Sequence, residues 1–158
     1  MHIKLNKYKY TKTWFVGSEI QRNLLHFVNK EYKYNILEIG CFEGLSASAF
    51  SDNIMDNSLS TLDCVDPFYE SGTVQGITST FIDEEVKKKF LHNISKSKNS
   101  EKIIFHNTTS DDFFTKNTKM FNLIYIDGCH EPEYITRDMS NSFNCLEKNG
   151  IMWMDDYG

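Results

Sequence analysis

The sequence predicts an α/β fold built on a doubly wound, mostly parallel sheet, and three observations carry that prediction. Five short apolar runs alternate with longer amphipathic segments, the pattern of strands joined by helical crossovers. Each run ends on glycine or polar residues, and a doubly wound sheet gathers its ligands outside the carboxyl ends of its strands. The first run passes through Glu38-Ile39 into Gly40-Cys41-Phe42-Glu43-Gly44, a turn with two glycines four apart. Glycine lets a backbone turn with positive φ and approach a ligand closely, and the helix N-terminus just beyond offers free N–H groups. A nucleotide-like cofactor is expected at this turn.

The elements follow in order. Ser18-Glu19-Ile20-Gln21 has the form of a capping box, and Ile20, Leu24, Phe27 and Val28 recur at helical spacing, so a leading helix ends near Lys30. Residues 1–33 then form an N-terminal helical segment and 34–158 the core of a single domain. The first strand runs from Tyr34 to Ile39, a short helix from about Leu45 to Asp52, and a second strand from Ser60 to Asp66. A polar, glycine-containing loop is expected from Tyr69 to Thr80. Asp83-Glu84-Glu85 precede Lys87-Lys88-Lys89, acidic first and basic later, as a helix dipole favours. Lys102 to His106 reads as the third strand, with a helix cap at Thr109-Ser110-Asp111-Asp112. Phe121 to Ile126 is the fourth strand, about Glu133 to Glu147 a helix, and Ile151 to Met154 the fifth strand, preceded by Asn149-Gly150.

Composition bounds the function. A chain of 158 residues, 40% hydrophobic and 14% aromatic, fills one core of ordinary size. A net charge of −5 leaves no basic footprint, so nucleic acid is not an expected partner. No apolar run approaches the roughly 20 residues of a membrane span, and the first residues lack the apolar core of a signal peptide, so no membrane and a cytoplasmic location are expected. The four cysteines, Cys41, Cys64, Cys129 and Cys145, form no C-x-x-C pair, so buried reduced thiols are expected rather than a zinc site.

The spacing of the glycine turn narrows the cofactor. A dinucleotide fingerprint, G-x-G-x-x-G, needs its second glycine where the pyrophosphate meets backbone, and Phe42 stands there instead. An NAD-linked oxidoreductase is therefore the weaker alternative. Glu38, Gly40 and Gly44, read as Glu-x-Gly-x-x-x-Gly, resemble the first motif of class I S-adenosylmethionine-dependent methyltransferases. Val65-Asp66-Pro67-Phe68, Tyr125-Ile126-Asp127-Gly128-Cys129-His130 and Asn149-Gly150-Ile151-Met152-Trp153-Met154-Asp155-Asp156-Tyr157 look like the motifs that follow. The branch that is most similar carries Asp-Gly-x-His and an Asp pair, and includes macrolide sugar O-methyltransferases and, more distantly, catechol O-methyltransferase.

The resemblance implies a Rossmann-like sheet of class I methyltransferase type that binds S-adenosylmethionine. In it Asp66 would accept the ribose hydroxyls, Glu38 would support the loop and the methionine end, Gly40 and Gly44 would let the loop pass close, and Ser110 with Asp111 would bound the adenine. Asn107 stands where many relatives have glycine. Asp127, Asp155 and Asp156 match metal ligands of metal-dependent O-methyltransferases, and His130 falls where the macrolide-sugar relatives have a general base.

Independently of the resemblance, several carboxylates at the mouth of a crevice repel one another unless a cation compensates them. Oxygen ligands suit Mg²⁺ or Ca²⁺, and the histidine admits Mn²⁺ or another transition ion. Neighbours on a strand point to opposite faces, so the alternative is that Asp155 alone faces the site and Asp156 caps the next element. His26 and His92 fall in helical patterns and read as surface groups; Tyr134 and Tyr157 read as packing, and Trp14 and Phe15 as a hydrophobic staple. The expected partner is a small-molecule methyl acceptor such as a sugar or diol. The competing class is a non-catalytic cofactor-binding domain acting through a partner. The family's last C-terminal strands are absent from this sequence, so the fifth strand is expected to be covered by a further segment or by a homo-oligomer.

Overall fold

The computed structural model describes residues 5–74 and 77–155. The leading helix is α1, Glu19–Phe27, capped by the Ser18 hydroxyl accepting from the Gln21 amide at 3.2 Å. The chain then alternates as expected: β1, Asn35–Ile39; α2, Leu45–Ile54; β2, Thr61–Val65. Beyond it come β3, Tyr69–Val74; β4, Ile77–Ile82; and α3, Glu84–Lys96, whose first amides bond the Asp83 carboxylate. The last third holds β5, Ile103–His106; α4, Ser110–Lys116; β6, Phe121–Ile126; α5, Pro132–Asn144; and β7, Leu146–Met154.

The main sheet has the order β5-β2-β1-β6-β7, parallel at every pairing. From β1 the chain builds outward to β5, then returns to the other side of β1 with β6 and β7. The topological switch point therefore lies between β1 and β6, where doubly wound sheets bind ligands. The register is level there: Ile39 stands opposite both Val65 and Ile126, Val65 opposite His106, and Ile126 opposite Met154. All five strands end on one line.

Side chains alternate between two cores, as period-two strands require. Ile36, Leu62, Cys64, Leu123 and Tyr125 face one side with Leu24, Phe50 and Phe90 of α1, α2 and α3. Leu37, Ile39, Val65, Ile124 and Ile126 face the other with Phe113 of α4. Covered on both faces, the central strands read as mainly apolar runs, broken in β1 and β2 only by the buried Glu38 and Asp63 and at their polar first residues, which is why the sequence located them.

Two expectations are corrected. The segment expected as a polar loop from Tyr69 to Thr80 is an antiparallel hairpin, with Tyr69 paired to Ile82 and Val74 to Ile77. Its polar content hid it, although Val74, Ile77, Thr78, Thr80 and Ile82 are β-branched residues of high strand propensity. The fifth strand of the sheet begins at Leu146 rather than Ile151, and the helix before it ends at Asn144 rather than Glu147. Phe121 pairs with Leu146 and Leu123 with Ile151, so β7 carries a bulge between those pairs, with Asn149 at φ 65°. The Asn-Gly pair that marks a turn here kinks a strand instead of preceding one.

Candidate active site

The glycine turn is shaped by what it must clear. Gly40 has φ 80°, and a Cβ added there would lie 2.0 Å from the Asp127 carbonyl oxygen at the end of β6. No side chain can occupy that position without moving one strand end off the other. Gly44 has φ 78° and caps α2, where an added Cβ would meet the Phe90 ring at 3.0 Å. Phe42, between them, takes φ 45° and stacks on Trp14 with ring centroids 5.3 Å apart.

Asp66, just past β2, holds this turn. Its Oδ2 accepts from the amides of Cys41 at 2.7 Å and Phe42 at 3.0 Å, and its Oδ1 from the Phe68 amide at 2.6 Å. Burial raises its pKa and the three N–H donors oppose that rise. Glu38 is fully buried behind the turn, accepting from the Ser46 hydroxyl and, at 3.6 Å, from the Cys64 thiol. Burial pushes its pKa up to about 8, with the Asp127 and Asp66 charges adding to the rise, so at neutral pH the acid form dominates.

The far wall comes from α4 and α5. Thr109 caps α4 by accepting from the Asp112 amide at 3.2 Å, which leaves Ser110 and Asp111 in the first turn at the cleft. Asp138, only 4% exposed, bonds Ser110 from α5, and burial raises its pKa. Arg137 lies 3.3 Å from Asp111 and over the Tyr134 ring at 4.6 Å.

Beyond β6 and β7, the buried Tyr125 hydroxyl lies 2.8 Å from Asp155 Oδ2 and 3.1 Å from Asp127 Oδ2. Burial and the two carboxylates raise the phenol's pKa, so it remains protonated. His130 Nε2 is 3.7 Å from Asp127 Oδ1, with its side chain 59% exposed. Walls, turn and carboxylates enclose one cleft of about 2020 Å³. A single small ligand fills roughly 300–1,000 Å³, so the cleft has room for two.

Glu38, Gly40, Gly44, Asp66, Ser110, Asp111, Asp127, His130 and Asp155 are thus gathered at one end of the sheet. Asp156 and Tyr157 lie outside the described residues. Among the described residues, the group of three potential metal ligands is not at the carboxylate mouth but is Glu38, Cys41 and Cys64. Burial pushes the Cys64 thiol up to about 11 and Cys41 well above its ordinary value, so both are neutral thiols. Cys129 is exposed, against the expectation of four buried thiols. His26 is exposed and His92 partly buried, each on its helix as expected. Phe15 is buried against Phe50 and Tyr125, whereas Trp14 is 70% exposed at the cleft, so the two do not act together as a staple.

Sequence reasoning missed three residues. Tyr125 was hidden in an apolar strand and Asp138 in an amphipathic helix. Glu43 did carry a signal, an acid inside a turn otherwise built to be neutral and small.

The comparisons with known proteins agree with this geometry. Residues 37–157 match the family described as methyltransferase domain, so the chain belongs to that family. Its fold is Rossmann-like, as in methyltransferases of known structure. Its fold resembles that of an rRNA methylase from Streptococcus thermophilus, with a TM-score of 0.60 at 10% identity over 92% of this chain and 72% of that one. It also resembles Aeropyrum pernix fibrillarin with natively bound S-adenosyl-L-methionine, with a TM-score of 0.58 at 18% identity over 87% of this chain. The StiE O-methyltransferase gives a TM-score of 0.55 at 15% identity over 86% of this chain. The chain spans 53% and 41% of those last two structures. No curated protein sequence matches it. Among the described residues no helix is long and apolar enough to cross a membrane.

Proposed function

We propose that the domain transfers the methyl group of S-adenosylmethionine to a hydroxyl oxygen of a small molecule such as a sugar or diol. The observation that carries this reading is the lining of the cleft. Gly40, Asp66, Ser110 and Asp111 share it with Asp127, His130 and Asp155, and Glu38 and Gly44 support its glycine turn, the two sets of groups that a cofactor and an acceptor would need. A net charge of −5 favours a small acceptor over RNA. The similarity to macrolide sugar O-methyltransferases and catechol O-methyltransferase supports the same acceptor chemistry.

In this reading Asp66 shapes the turn and keeps one acceptor site for a ribose hydroxyl, since a carboxylate offers about four acceptor sites and backbone takes three. Glu38, wholly buried, acts through the turn. Ser110 and Asp111 bound the adenine. The acceptor oxygen attacks the sulfonium methyl carbon in line, the C–S bond breaks with its electron pair going to sulfur, and S-adenosylhomocysteine leaves. His130 takes the hydroxyl proton on a ring nitrogen, and Asp127, 3.7 Å away, stabilises the positive charge so formed. Asp127 and Asp155, which share the Tyr125 hydroxyl, would be the residues to hold a Mg²⁺ or Mn²⁺ ion, and such an ion would lower the pKa of an acceptor hydroxyl. Holding both reactants in one cleft supplies further rate enhancement.

The test is calorimetric titration with S-adenosylmethionine, S-adenosylhomocysteine and NAD, followed by S-adenosylhomocysteine release over sugars, catechols and RNA. Binding of the first two ligands, with release on hydroxylated small molecules, supports the proposal. Release on RNA alone would overturn the acceptor class. Binding without release on any acceptor, with Mg²⁺ or Mn²⁺ present, would favour the non-catalytic reading.

A further inference from the structure

Glu43 is a carboxylate for which methyl transfer has no use, yet its side chain is 1% exposed and fully engaged. Thr11 donates to it twice, from its amide to Oε2 at 2.6 Å and from its hydroxyl to Oε1 at 2.6 Å. Lys89 of α3 adds an ion pair at 2.8 Å. Burial alone would raise the pKa of Glu43, but Lys89 and Thr11 outweigh it and hold the group ionised. Beside it the buried Asn93 side chain donates to the carbonyls of Glu43 at 2.8 Å and Lys9 at 3.1 Å, and accepts from the Lys9 amide at 2.7 Å.

The bonds made by Lys9 and Thr11 fall on one stretch of chain. Residues 9–14 run between two buried aromatic anchors, Tyr8 and Phe15, along the edge of the cleft, and belong to no helix or strand. Lys12 and Trp14 of this stretch line the cleft, and Trp14 rests on Phe42 of the glycine turn. Tyr10 is half-buried against the core, with its hydroxyl 3.5 Å from the Gly44 carbonyl, but Thr11 to Trp14 are exposed, so at Thr11 polar contacts to Glu43, rather than burial, hold the stretch down.

We propose that residues 9–14 are a strap across the cofactor half of the cleft and that Glu43 is its latch, a positioning residue that controls how fast the cofactor enters and leaves. The proposal rests on the reading that this half of the cleft binds the cofactor. A strap pinned at both ends opens by losing the few bonds at its middle, and both Thr11 bonds converge on one side chain of the turn that the cofactor must touch. Strap and turn thereby move as one, and release of Thr11 frees Trp14 from Phe42.

The experiment follows S-adenosylhomocysteine release by stopped flow, together with hydrogen exchange over residues 9–16, in wild type, Glu43→Ala and Thr11→Val. Thr11→Val leaves the Glu43–Lys89 pair intact and so guards against a misfolded Glu43 variant. Glu43→Ala is expected to speed release by about tenfold or more and Thr11→Val by about fivefold, each with faster exchange in the strap. Glu43→Gln, which retains an acceptor oxygen, should restore part of the slow release. Unchanged exchange in both variants would show that Glu43 does not hold the strap. Faster exchange with wild-type release would show that the strap does not gate the site. Failure of the wild type itself to bind would overturn the cofactor-site reading, and the latch with it.

Discussion

Gly40→Ala is the sharpest perturbation of the site, because its cost has two parts that a second glycine separates. An alanine at φ 80° suffers the left-handed strain of about 1–2 kcal/mol. Its Cβ would also lie 2.0 Å from the Asp127 carbonyl oxygen and 2.5 Å from its carbon, so β1 and β6 must part by about 1 Å. That movement strains the bond from the Asp127 amide to the Ile39 carbonyl, 2.8 Å in length and worth about 1 kcal/mol. Gly17 has nearly the same φ, 81°, but open space where its Cβ would point. Gly17→Ala therefore bears the strain alone, and the entropy gained by restricting the unfolded chain is common to both. We expect Gly40→Ala to cost about 2–4 kcal/mol and Gly17→Ala about 1 kcal/mol, measured by urea denaturation. Gly40→Ala should also weaken S-adenosylhomocysteine by at least about tenfold, since the displaced turn is the floor of the proposed cofactor site, while Gly17→Ala should bind normally. Equal destabilisation by the two variants, or wild-type affinity in Gly40→Ala, would refute the argument from close approach.

Asp66→Ala removes the acceptor of three backbone amides and should weaken cofactor binding by at least about tenfold, whereas Asp127→Ala should spare binding and abolish turnover; calorimetry and product assay read the two separately. Glu38 has a folded pKa of about 8, above the carboxylate value of 4.5, so the stability it contributes is complete below pH 4.5 and is lost as pH rises towards 8. Glu38→Gln mimics the acid form, and its denaturation midpoint should fall less between pH 5 and 9 than that of wild type, roughly the span this titration covers. Tyr125→Phe deletes the hydroxyl between Asp127 and Asp155 and should cost about 1.5–3 kcal/mol in denaturation while leaving S-adenosylhomocysteine affinity unchanged.

What the sequence disclosed follows from where its signals are strong. β6 matches its expected bounds, Phe121 to Ile126, because a strand covered on both faces is apolar at nearly every position, here at all but Asn122. The glycine turn was legible because positive φ and close approach admit almost no other residue. The hairpin β3–β4 was not, since a two-stranded ribbon outside the main sheet needs no apolar run. Tyr125 was invisible for a different reason: its ring belongs to the core and its hydroxyl to the cleft, and a pattern of apolar positions registers the first alone. Glu43 was in plain view among the site motifs, but its partners Thr11, Lys89 and Asn93 lie far away along the chain.

The level ends of the five strands also determine how the site responds to folding. Its groups come from Glu38 near the start of the sheet and from Asp155 after its last strand, so no local piece of chain contains a binding surface. The cleft exists when the sheet is fully zipped and dissolves as soon as either flank is lost. Ligands of such a site report on the whole domain: at a hundredfold excess over its dissociation constant, a ligand specific to the folded state adds about 2.7 kcal/mol to the stability of every strand at once. Melting temperature is therefore a chemical sensor for this protein, able to register an unknown acceptor before any product has been detected.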